Sequence, residues 1–98
     1  MRKIVLFCSA GMSTSLLVTK MREAAAAQGY EADIDAFPVA DSSKHADADI
    51  VLIGPQIRFK LAQLKGEFSC PVEAIDMQAY GTMDGEKVIA QVKKALGD

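Results

Sequence analysis

The sequence predicts a three-layer α/β fold in which four parallel strands lie in the order 2-1-3-4 with helices on both faces of the sheet. Three observations predict it. Short apolar runs of strand length alternate with segments of helical period, the rhythm of strand-helix-strand crossovers. The first run is apolar without interruption, as in a strand covered on both faces. The second alternates acidic and apolar residues, as in a half-exposed edge strand. At 98 residues, half of them hydrophobic, the chain suits one domain spanning 1–98, with a single sheet core.

The elements follow in order. Residues 3–8 form the central strand. A helix is expected over 13–28, with Leu17, Met21 and Ala24 on one face, alanines in its last third, a Ser/Thr-rich start as cap and Gly29 as its stop. Glu31 to Phe37 is the edge strand, halted by Pro38. Residues 39–47 are polar and uneven, giving a loop or at most one short helical turn. Ile50 to Ile53 is a third strand, closed by Gly54-Pro55, and Ile57, Leu61 and Leu64 then mark a helical stripe ending near Gly66. Val72 to Ile75 is the fourth strand, and residues 76–85 read as a loop long enough to be functional. A last helix over 84–96 places Val88, Val92 and Ala95 on one face, with Lys93 and Lys94 near its negative end.

The chemistry of the chain points to the turn after the first strand. Cys8 ends that strand and enters the small-residue loop Ser9-Ala10-Gly11-Met12-Ser13-Thr14-Ser15 just before a helix. Backbone N–H groups in such a turn, with the positive end of the helix behind them, bind phosphate-like oxygens and favour a thiolate over a thiol. The expectation is a phosphatase-like P-loop in which Cys8 is the nucleophile. Backbone N–H groups from Ser9 through Ser15 cradle the oxygens, Ser13, Thr14 or Ser15 adds a hydroxyl donor or a helix cap, and Gly11 turns the chain with positive φ. In an open parallel sheet this turn lies at the switch point, outside the carboxyl ends of the strands. Phe37-Pro38, Gly54-Pro55-Gln56 and the 76–85 segment reach the same edge and are its candidate walls.

Composition excludes several other classes. No apolar run approaches the roughly 18–20 residues of a membrane span, and the stretch before Cys8 is too short for a signal-peptide core, so a cytoplasmic location is expected. A net charge of −2 with no basic run argues against nucleic-acid binding. Two distant cysteines and one histidine, His45, make neither a disulfide scaffold nor a metal site, and no cofactor is expected. His45 reads as a solvated residue of the irregular segment. Cys70 reads as a packing residue at the opposite edge of the sheet from Cys8.

Leu6-Phe7-Cys8-Ser9-Ala10-Gly11-Met12-Ser13-Thr14-Ser15-Leu16-Leu17, Ile53-Gly54-Pro55-Gln56-Ile57 and the run from Ile75 to Gly85 together resemble the lactose/cellobiose-type enzyme IIB of the bacterial sugar phosphotransferase system. The resemblance implies a phosphoryl carrier. Its cysteine, Cys8 here, takes a phosphoryl group from a phosphohistidine of enzyme IIA and passes it to a sugar held by the membrane enzyme IIC, a β-linked disaccharide such as cellobiose, chitobiose or lactose. A monomer suits a protein that shows one face to two partners in turn.

The loop also resembles that of the tyrosine and low-molecular-weight phosphatases, whose Cys-X5-Arg pattern clamps the phosphoryl group with arginine. Here that position is Thr14. Without the bidentate guanidinium, a phosphatase or arsenate reductase is disfavoured. A carrier receiving phosphate from a good leaving group needs mainly positioning and backbone dipoles. A non-catalytic anion-binding domain is the third class. Asp76 as a turn residue and Asp84 as a helix cap are the simpler readings, with tuning of Cys8 the sharper one. Gln56 and Tyr80 are read as turn packing or as residues that close over the loop, and Met12 as a soft contact for the enzyme IIA partner.

Overall fold

A computed structural model describes residues 1–8 and 12–98, and for Met12, Ser13 and Thr14 it describes the helical backbone alone. Strand β1 (Arg2–Cys8) leads to α1 (Met12–Ala27), then to β2 (Ala32–Pro38) and a 3-10 segment over Val39–Lys44. Strand β3 (Ile50–Ile53) is followed by a 3-10 segment over Pro55–Lys60 and α2 (Leu61–Glu67). Strand β4 (Val72–Ala74), a short α3 (Met77–Gly81) and α4 (Gly85–Leu96) complete the chain. The sheet order is β2-β1-β3-β4 with every pairing parallel, as the sequence predicts.

The period-2 geometry of β1 explains the layers. Ile4 and Leu6 point into a core shared with Leu17, Val18 and Met21 of α1 and Val88, Ile89 and Val92 of α4. Val5 and Phe7 point the other way, to Ile57, Leu64 and Phe68. Both sets are fully buried, each large side chain stabilising the fold by roughly 1.5–3 kcal/mol, so an uninterrupted apolar strand is what two cores demand. Helices α1 and α4 approach closely. A Cβ on Gly85 would stand 2.4 Å from the Lys20 carbonyl carbon and oxygen, so the start of α4 rests on the α1 backbone itself.

Several boundaries differ from expectation. The helix α1 opens at Met12, one residue before the expected start, so Ser13, Thr14 and Ser15 lie in its first turn. Strand β2 ends at Pro38 as expected, with the proline itself as last strand residue, opposite Cys8, because β2 is an edge where a missing N–H costs nothing. The Ile57-Leu61-Leu64 stripe is a kinked element, since Ile57 leaves helical geometry (φ −115°, ψ 24°) so that its side chain buries before α2 begins. The helix α2 runs through Gly66 to Glu67. The 76–85 segment is no open loop but holds α3, whose first turn Asp76 caps by accepting from the Ala79 N–H at 3.0 Å. His45 is half-buried rather than freely solvated: its ring stacks on Phe37 at 3.8 Å between centroids.

Candidate functional site

The central strand carries Cys8 out to the carboxyl edge of the sheet, where its neighbours on β2 and β3 also end. Cys8 is buried and pairs in register with Pro38. Four residues later α1 opens, so its N-terminal turn follows closely in the chain on the strand end that bears the thiol. The first N–H groups of a helix have no acceptor within it, and the helix dipole is positive there. That combination suits an anion and a thiolate alike. Ser9, Ala10 and Gly11, expected as phosphate-binding residues, lie outside the described residues, as do the side chains of Met12, Ser13 and Thr14, the P-loop geometry and the φ of Gly11. Ser15 is on the exposed face of α1, and its carbonyl accepts the Thr19 hydroxyl at 3.2 Å.

The wall beside Cys8 is built by Gly54. Its N–H donates to the Phe7 carbonyl at 3.1 Å, tying the exit of β3 to the peptide just before Cys8. A Cβ there would meet Gln56 Oε1 at 3.1 Å and the Tyr80 ring at 3.9 Å. Of the candidate walls read from the sequence, Gly54, Gln56 and Tyr80 of the 76–85 segment thus come together next to Cys8, which Pro38 also pairs with. Tyr80 is buried in the first core and Gln56 is exposed.

Asp76 and Asp84 separate. Asp76 is at the same edge, yet one carboxylate oxygen is engaged in capping α3. Asp84 caps α4, accepting from the Lys87 N–H at 3.1 Å, and lies beside Lys20, Glu23 and Ala24 of α1. Lys20 is eight residues along α1 from Met12, roughly 12 Å of helix, so Asp84 lies well away from the start of α1. Cys70 belongs to the second core at the far edge, where burial pushes its thiol pKa up and so keeps it protonated. Among the described residues no cluster of His, Cys, Asp or Glu could hold a metal ion. No described helix is long and apolar enough to cross a membrane.

Sequence reasoning missed the outer rim of this edge. Phe59, Met77 and Leu16 are exposed, and each sits on an element that leaves a strand's carboxyl end. Beside Met77 a depression of about 260 Å³ is lined by Pro55, Arg58 and Asp76 as well. Among the described residues Arg58 forms no ion pair. The available signal was Phe59 itself, an aromatic between Arg58 and Lys60 that lies off the Ile57-Leu61-Leu64 stripe.

Residues 3–91 match the family model described as the lactose/cellobiose-specific IIB subunit of the PTS, the sugar phosphotransferase system. An oligo-beta-mannoside-specific EIIB component from Bacillus subtilis is 51% identical over 97 aligned residues, covering 93% of this chain and 92% of that protein. A galactose-specific EIIB component from Lactococcus lactis subsp. cremoris is 40% identical, with 95% of this chain and 94% of that one covered. Among solved structures, a cellobiose-specific IIB component from Borrelia burgdorferi superposes with a TM-score of 0.79 at 37% identity, covering 98% of this chain and 92% of that one. The lactose-specific IIB domain from Streptococcus pneumoniae reaches 0.84 at 15% identity over 96% of each chain, a likeness of fold.

Proposed function

Because the chain belongs to the lactose/cellobiose-specific IIB family of the sugar phosphotransferase system, we propose that it is a phosphoryl carrier working through Cys8. The observation that carries the reading is the position of Cys8, buried at the end of the central strand with the first turn of α1 four residues on. In the first half-reaction the thiolate attacks the phosphorus of a phosphohistidine on enzyme IIA. The S–P bond forms as P–N breaks, and the imidazole leaves with the electron pair and takes up a proton. In the second, a sugar hydroxyl bound by the membrane enzyme IIC attacks the same phosphorus, S–P breaks, and the hydroxyl proton is released. Backbone N–H groups across 9–15 offset the equatorial charge in both steps.

Thr14 at the phosphatase-arginine position favours this over hydrolysis, since a carrier must keep its phosphoryl group until the sugar arrives. The exposed Leu16, Phe59 and Met77 around the thiol edge, with Arg58 among them, suit a docking face for a partner that brings phosphohistidine to within reach of sulfur. Location in the cytoplasm, a monomeric state and a β-linked disaccharide as final acceptor complete the proposal. Incubation with phosphorylated enzyme IIA, followed by mass spectrometry, is expected to add one phosphoryl group to Cys8 and none to Cys8→Ser. Release of inorganic phosphate from an aryl phosphate at a comparable rate would turn the reading to a phosphatase.

A further inference from the structure

Strand β4 is an edge strand of three residues that pairs with β3 alone. Its outer side ought to present unpaired backbone groups. Instead Gln91 of α4 reaches across it. The Gln91 Nε2 donates to the Ala74 carbonyl at 2.9 Å, and Oε1 accepts, at 3.4 Å, from the Asp76 N–H. One acceptor and one donor flanking Ile75 are thus answered by one carboxamide, the pattern that a neighbouring parallel strand would supply. The second Nε2 hydrogen goes to Glu73 Oε1 at 2.9 Å, so the amide cannot flip without setting oxygen against two oxygens.

The bonded groups sit where β4 hands over to α3. That helix has five residues, too few to hold a helical conformation unaided. Its direction is fixed by the Asp76 cap and by the path of the chain through Ala74, Ile75 and Asp76. Tyr80, at its end, lies against Gly54, whose N–H holds the Phe7 carbonyl beside Cys8.

We infer that Gln91 is a positioning residue for the Cys8 site: by completing the outer edge of β4 it aims α3, and through Tyr80 it holds the wall at Gly54 in place. Its effect on phosphoryl transfer rests on the carrier reading, whereas its effect on access to Cys8 does not.

The test uses a Cys70→Ser background, in which Cys8 is the remaining thiol. Gln91→Met keeps the volume and removes all three bonds. It is expected to raise the iodoacetamide alkylation rate of Cys8 about three- to tenfold at a fixed pH, with far-UV circular dichroism unchanged, as local opening of a low-stability segment does. With phosphorylated enzyme IIA as donor, kcat is expected to fall by a similar factor and KM to hold. Because Gln91 acts through Tyr80, adding Gln91→Met to Tyr80→Leu is expected to raise alkylation no further, where independent effects would multiply.

Wild-type alkylation in Gln91→Met, or multiplicative effects in the pair, would overturn the inference. If Gln91→Met does not fold, hydrogen exchange on the wild-type chain decides. The Asp76 amide is expected to be protected like those of β4, and exchange at the rate of open chain would count against the role. A wild-type protein that takes up no phosphoryl group sinks the carrier reading, and the alkylation comparison still judges Gln91.

Discussion

The two ends of the sheet are built on opposite terms. At the amino end, two basic residues at the start of the central strand are paired. Arg2 grips Asp98 through two hydrogen bonds of 2.8 and 2.9 Å, Tyr30 donates to the same carboxylate at 2.6 Å, and Lys93 sits 5.0 Å from the Tyr30 ring centroid. Lys3 pairs with Asp47 at 2.6 Å, while its backbone N–H is taken by Asp49 at 2.7 Å. At the carboxyl end Arg58 has no ion pair among the described residues, and Phe59, Met77 and Leu16 stand exposed. A cysteine lies at each end. Cys70 is held as a protonated thiol by burial, whereas Cys8 ends the central strand four residues ahead of α1. The closed end keeps the chain ends and strand starts in place, and the open end retains the groups that a partner would cover.

Exchanging the cysteines' roles is the severest way to break this comparison. Cys8→Ser is expected to abolish phosphoryl uptake from phosphorylated enzyme IIA, and Cys70→Ser to leave its rate within about twofold. Gly85→Ala comes next. Its methyl group would overlap the α1 backbone at Lys20, so urea unfolding should show a loss of about 1–3 kcal/mol. Gly54→Ala is crowded by the movable end of Gln56 at 3.1 Å and makes ordinary contacts of 3.9 Å with Phe7 and Tyr80, so stability should change by less than about 1 kcal/mol while phosphoryl uptake falls. Equal effects on folding and transfer would blur the distinction between site wall and core.

At the rim, Phe59→Ser is expected to raise the KM for phosphorylated enzyme IIA about fivefold or more with kcat retained, as loss of a docking contact does. The smallest effect belongs to the closed end. Hydrogen bonds from Arg2 and Tyr30 hold the Asp98 carboxyl at about 2, below its ordinary value of 3.8. The native state therefore binds fewer protons than the unfolded chain between these values. Stability from this pair is present above about pH 4 and is lost as pH falls toward 2. Asp98→Asn should flatten that part of the melting-temperature profile, lowering the melting temperature modestly at pH 7 and matching wild type as pH falls toward 2.

Much of this was legible in order along the chain. The strand order followed from two patterns, the uninterrupted apolar run before Cys8 and the acid-apolar alternation after Glu31, because burial on two faces and on one face write different periodicities. The cap at Asp84 and the wall residues Gly54, Gln56 and Tyr80 were legible as turn chemistry next to strands. Other features were not. The 3.6-residue stripe through Ile57 gave no sign of the kink, since one buried side chain reached by a non-helical φ looks the same as one on a helix face. The five-residue α3 carries too little pattern to register. His45, with no periodic neighbours, read as solvated until the approach of Phe37 gave it a ring to stack on.

By itself the sequence determined the α/β class, the central place of the Cys8 strand and the chemistry on offer at its end, because hydrophobic period, turn residues and a thiol before a helix are local properties of the chain. The tertiary structure alone decided which distant side chains serve that strand end. Gln91 is one glutamine on an amphipathic helix, with nothing in its neighbours to mark it. Its bonds to Ala74 and Asp76 exist because α4 packs beside the β4 edge, and such long-range pairings are set by the closure of the whole fold and not by any stretch of sequence.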